Sequence, residues 1–153
     1  MAGDSGRRGR RKQPSVSAVR DRRSGAVRRS VGDDSYVAMT TDDFVSCLLE
    51  VGPSVRQIVE EHHRDQGELL LHVLCGDLSR YCVEAWNRGG STEMNDCLAC
   101  ASRALDEGDQ AVRNAIEASF VENVGPWDDH MRPFIAIWPV SLRAEAERQA
   151  HSR

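Results

Sequence analysis

Residues 68–87 read Glu68-Leu69-Leu70-Leu71-His72-Val73-Leu74-Cys75-Gly76-Asp77-Leu78-Ser79-Arg80-Tyr81-Cys82-Val83-Glu84-Ala85-Trp86-Asn87. Leu71, Leu74, Cys75, Leu78, Tyr81, Cys82, Ala85 and Trp86 recur three and four apart, so they fall near one stripe of a helix. A stripe that broad is expected of a central helix covered on more than one side. The one discordant feature is Gly76-Asp77. Glycine costs about 1 kcal/mol in a helix interior relative to alanine, and aspartate prefers a cap, so the pair predicts a kink or break there.

The same period extends to both sides. Thr40 or Thr41 can cap a first helix, with Asp42 and Asp43 in its first turn and Phe44, Cys47, Leu48 and Val51 inward, ended by Gly52-Pro53. Pro53 opens a second helix whose Val55, Ile58, Val59 and His62 form the apolar stripe, and Gly67 closes it. Beyond Gly89-Gly90-Ser91, a fourth helix turns Met94, Cys97, Leu98, Ala101 and Leu105 inward and stops at Glu107-Gly108-Asp109. A fifth spans Gln110 to Val124, aligning Val112, Ala115, Ile116, Ser119, Phe120, Asn123 and Val124. Pro133 and Pro139 suit the starts of a short turn over Phe134 to Trp138 and of a polar last helix. No segment alternates with period two long enough to demand a strand. The class is all-α, a single compact bundle of six or seven short helices, sequential neighbours antiparallel because their loops are short.

Charge divides the chain in two. Residues 1–33 hold ten basic and three acidic groups, a balance of +7; residues 34–153 hold ten basic and 21 acidic, a balance of −11. The first segment has no Leu, Ile, Phe, Trp or Tyr and is expected to be a disordered Arg-rich extension over 1–38, ahead of a helical domain at 39–150. Arginine outnumbers lysine 19 to 1, a bias expected of a GC-rich, actinobacterial-like genome. In such genomes reading frames run upstream of true starts, so Met39 is an alternative start. No apolar run reaches the roughly 18 residues of a spanning helix, which argues against a membrane, and no secretory h-region is present. The expected compartment is the cytoplasm.

Five cysteines and five histidines are the chemistry-bearing candidates. Cys97-x-x-Cys100 and His72-x-x-Cys75 each place two metal-capable groups one helical turn apart, but both lie within apolar stripes rather than on knuckle turns. Packing is the better reading, and no metal or cofactor is expected. An odd number of cysteines with no leader predicts reduced thiols. No cysteine sits at a helix N-terminus beside a histidine base, and no phosphate loop, His-Glu-x-x-His or Gly-x-Ser-x-Gly occurs, so no catalytic residue is assigned.

The run Leu70 to Tyr81, together with Ser119-Phe120-Val121-Glu122-Asn123-Val124 and Trp138-Pro139 before a charged helix, resembles an uncharacterised family of small bacterial helical domains. Its members show a Leu-Pro-His followed by an apolar pair, Gly-Asp and Arg, then Phe-x-Glu-Asn and a late Gly-Pro. Leu71 stands where the family has Pro, and Trp138 where it has Gly. The likeness covers roughly residues 41–149. The resemblance implies no established activity; by size and acidity such domains are similar to immunity proteins that neutralise toxins.

His72, Asp77, Arg80, Tyr81, Glu122 and Asn123 are therefore the candidate binding or structural polar residues. Asp77 and Arg80, three apart, can pair on one helix face. Asn123 falls on the inward stripe and needs hydrogen-bond partners. Glu60, Glu61, Asp65, Asp128 and Asp129 form the candidate acidic partner face. The expected function is a non-catalytic protein-binding domain for a partner with a basic surface, a toxin or effector. The alternative is nucleic-acid association or regulation through the N-terminal tail alone.

Overall fold

The computed structural model describes residues 37–153; the expected disordered extension lies outside the described residues, apart from its last two positions. Thr40 opens helix α1 (Thr41–Leu49) with a capping box: its hydroxyl accepts the Asp43 N–H, and the Asp43 carboxylate accepts its own. Gly52-Pro53 ends that turn and starts α2 (Pro53–Gln66), which stops at Gly67 with φ 75°. Helix α3 is Leu71–Asn87 and α4 is Thr92–Glu107, capped by the Ser91 hydroxyl on the Met94 N–H. Asp109 caps α5 (residues 110–124) through the Val112 N–H.

Helix α5 is not uniform. Gln110–Ala115 is α-helical, Ile116–Val121 is a π-helical segment in which the Glu122 N–H reaches back five residues to the Glu117 carbonyl, and Glu122–Val124 is a last α turn. A 3-10 turn, Asp129–Met131, leads into α6 (Arg132–Ala136), and Val140–His151 forms α7. Among the described residues there is no strand, only an isolated bridge between Met39 and Gly108. The Met39 N–H donates to the Glu107 carbonyl at 2.7 Å and its own carbonyl accepts the Asp109 N–H at 2.9 Å, so the stretch before α1 is tied across the α4–α5 turn. The class is all-α, as the periodicity predicts.

Helix α3 is the centre, packing on α2, α4 and α5. Its Leu74, Cys75, Leu78, Cys82 and Ala85 are buried against Phe44, Leu48, Leu98 and Phe120, each large side chain contributing about 1.5–3 kcal/mol by leaving water. Four aromatic rings join the C-terminal elements to that core. Trp86 of α3 stacks on Phe134 of α6 at 5.3 Å, Phe134 meets Trp138 edge-on at 5.4 Å, and Trp138 lies 6.2 Å from Phe120.

Three expectations are corrected. The helix is unbroken at Gly76-Asp77, because Gly76 serves a close approach: a Cβ there would lie 3.1 Å from the Asn123 amide nitrogen. It also begins at Leu71 rather than Glu68, since Leu70 is extended and its N–H donates to buried His62 Nε2 at 2.9 Å. That bond places the His62 proton on Nδ1, which has no partner among the described residues. Finally, the thiols are not all reduced. Cys47 of α1 and Cys100 of α4 form a disulfide across Cα atoms 6.3 Å apart, leaving Cys75, Cys82 and Cys97 free and buried. Helix packing brought together two cysteines 53 residues apart, which neither their number nor their spacing reveals.

Candidate functional site

The polar residues of α3 and its neighbours form three groups. The first lies between α2 and α3, where a groove of about 360 Å³ is lined by Glu61 of α2 and by Asp77, Arg80, Tyr81 and Glu84 of α3. Helical spacing explains the membership: Asp77, Arg80, Tyr81 and Glu84 sit three and four apart, on the flank of α3 next to its buried stripe. Asp77 and Arg80 form the expected ion pair, at the surface. Glu61 accepts a hydrogen bond from Gln57 at 2.8 Å, one turn earlier on α2. Burial pushes the Tyr81 phenol up, partly offset by a hydrogen bond with Ser91. The groove thus carries three carboxylates beside Arg80 and Arg88.

The second group is the junction of α3 with the π-helical segment. His72 Nδ1 lies 2.7 Å from Ser119 Oγ, and the Asn123 amide donates to the Ser119 carbonyl at 2.8 Å. Gly76 completes it by leaving space for the Asn123 side chain. Asn123 is exposed, correcting the inward placement. The π turn inserts an extra residue, so Phe120 and Val121 are both buried while Asn123 rotates outward onto α3. Ser119, read in the sequence only as part of the apolar stripe, is the residue that joins the two.

The third group is at the chain's C-terminal end. Glu122 pairs with Arg153 at 3.3 Å, and the Arg153 guanidinium lies 3.9 Å from the centre of the Trp127 ring. Trp127 and Arg153 were not singled out by sequence reasoning. A tryptophan just after Gly125-Pro126, in a chain with three tryptophans, was the available signal.

The five acidic candidates lie on two separate elements. Glu60 and Asp65 are exposed on α2 and Glu61 is half-buried, whereas Asp128 and Asp129 are exposed in the turn before α6. Helix α2 packs on α1, α3 and α4, while α6 packs on α7. Asp128 accepts the His130 N–H at 2.9 Å, which with the His130 ring holds its carboxyl below the usual range, and Asp129 pairs with Arg132 at 3.1 Å. Within the described residues Glu60 and Asp65 make no ion pair.

The free thiols form a fourth cluster, internal to the core. Burial, and then the neighbouring Cys97, push the Cys75 thiol up to about 12. A hydrogen bond to Cys97 and burial raise Cys82 well above the ordinary thiol range. Groups held protonated in this way are poor nucleophiles. Among the described residues no three His, Cys, Asp or Glu side chains are placed to hold a metal ion, and no helix is long and apolar enough to cross a membrane.

An all-α domain built around α3, with the Gly-Asp and Glu-Asn residues on its flanks, is the class of protein these observations define. The chain belongs to the family described as Domain of unknown function (DUF7674), whose model matches residues 45–152. No curated protein and no solved structure matches it significantly.

Proposed function

We propose that this is a non-catalytic bacterial protein-binding domain, placed in the cytoplasm, that takes a partner with a basic surface through the α2–α3 groove, in the manner of an immunity protein holding a toxin or effector. The observation that carries the reading is the convergence of Glu61, Asp77 and Glu84 in one groove, whose helix α2 also carries exposed Glu60 and Asp65, which make no ion pair among the described residues. In a segment at −11, such a surface steers basic partners toward it and repels nucleic acid. The Cys47–Cys100 bond suits an oxidising compartment, so the thiol count of protein taken from its host tests the cytoplasmic placement.

A second reading, nucleic-acid association or regulation, is favoured by the ten basic residues in 1–33. Affinity capture from the native host separates the two, using the full chain, a chain lacking residues 1–38, and a chain with Glu60, Glu61 and Asp65 reversed to lysine. A basic protein retained by the first two and lost by the third supports the groove. Nuclease-sensitive material lost only with residues 1–38 supports the tail and defeats the groove.

A further inference from the structure

A second concavity, of about 760 Å³, lies at the opposite chemical extreme from the acidic groove. It is bounded by the Pro126-Trp127 loop, α6 and α7, and its size is within the roughly 300–1,000 Å³ of small-molecule sites. Its wall is apolar where Trp127, Ile135, Ala146 and Ala150 face it, and its cations are Arg132 and Arg143 against one carboxylate, Glu147. In a segment with twice as many acidic as basic residues, a cavity with this inverted balance selects an anion.

Two residues give the ligand its shape. Trp127 is 41% exposed, and it borders both this cleft and the smaller one in which Arg153 lies over its ring. Arg143 is half-buried, and its Nη1 is held by the carbonyls of Ala136 and Trp138 at 3.4 and 3.3 Å. A guanidinium carries five N–H donors, so fixing one nitrogen leaves the remaining donors available in a set orientation. Arg132, by contrast, is exposed and already paired with Asp129.

We propose that this cleft binds a small planar aromatic anion, a ring system bearing one carboxylate or sulfonate, with the ring against Trp127 and the anionic group on Arg143. The site is separate from the α2–α3 groove and stands or falls independently of it.

The test is a fluorescence titration of the full chain with 8-anilinonaphthalene-1-sulfonate and with its neutral relative N-phenyl-1-naphthylamine. The sulfonate is expected to saturate one site with quenching of Trp127, and to bind at least tenfold more tightly than the neutral probe. Arg143→Met should weaken the sulfonate about tenfold, the loss of one charge-assisted hydrogen bond, and leave the neutral probe unchanged. Because Arg143 also holds the end of α6, Ala150→Phe provides a variant that fills the cleft without removing a charge; it should abolish binding while leaving the far-ultraviolet spectrum intact. Equal affinity for the two probes, or undiminished sulfonate binding by Ala150→Phe, overturns the proposal.

Discussion

The Glu93 carboxylate of α4 accepts the backbone N–H of Val55 at 2.8 Å, across 38 residues of chain. Gly52 precedes α2 without a side-chain cap, so the first turn takes its acceptor from another helix instead. The same glycine makes room, since a Cβ at position 52 would sit 2.7 Å from the Glu93 carboxyl carbon. A carboxylate here both satisfies an orphan donor and faces the positive end of the helix.

Replacing Glu93 with alanine should therefore lower stability by about 1–2 kcal/mol in urea denaturation, the scale of a lost cap. Glu93→Gln, which keeps the acceptor oxygen but not the charge, should recover part of that loss. Equal stability of Glu93→Ala and the parent would show that the contact is dispensable.

The staple between α1 and α4 makes a count. Denatured but unreduced protein should yield three titratable thiols per chain, from Cys75, Cys82 and Cys97, and five after reduction. Closing a 53-residue separation is worth about 4 kcal/mol in the chain-entropy treatment. Cys47→Ser with Cys100→Ser should accordingly lower the unfolding free energy measured in urea by an amount approaching that figure. Five thiols before reduction would contradict the pairing.

Core thiols also set a pH dependence. Cys75 ionises near 9 when the chain is unfolded and is pushed to about 12 when folded, so both states are neutral below pH 9. Above it the unfolded chain loses its proton first, and stability falls as pH rises from about 9 toward 12. Melts at pH 8 and pH 10 should show that fall, and it should be shallower in Cys75→Ala. In the native protein Cys75 should resist iodoacetamide at pH 8; rapid alkylation would refute its burial.

Much of the fold was legible because helix ends are local. Thr40, Gly52-Pro53, Ser91 and Asp109 stop or cap helices within a few residues of where their chemistry places them. The Asp77–Arg80 pair was equally local. Features that depend on another element were not legible. Gly76 looks like a breaker until Asn123 is seen beside it, His62 looks like an ordinary stripe residue until Leu70 folds back on it, and Glu93 gives no sign of serving α2. The π segment hides for a related reason: Ile116, Phe120 and Val124 keep helical spacing, and only the burial of Val121 beside Phe120 and the outward turn of Asn123 betray the extra residue.

Gly76 offers a quantitative check on that reading. In an Asn123→Ala background, Gly76→Ala should stabilise the protein by about 0.5–1 kcal/mol, the ordinary gain for alanine over glycine in a helix. With Asn123 present the gain should be smaller, because the new methyl meets its amide at 3.1 Å. A double-mutant cycle with no coupling would mean that the two residues do not constrain each other.

Association kinetics most directly test the proposed docking of a basic partner on the acidic α2–α3 groove. With the captured partner in hand, its association rate should be measured across a salt series for the parent, for Glu60→Lys with Glu61→Lys and Asp65→Lys, and for Asp128→Lys with Asp129→Lys. The α2 reversal should slow association at least tenfold at low salt and flatten the salt dependence. Its melting temperature should fall little, because Glu60 and Asp65 are exposed and the half-buried Glu61 gives up only one surface hydrogen bond, from Gln57. The Asp128–Asp129 reversal, on a different element, should have a smaller effect. An α2-reversed protein that associates at the parent's rate at every salt concentration would contradict the claim.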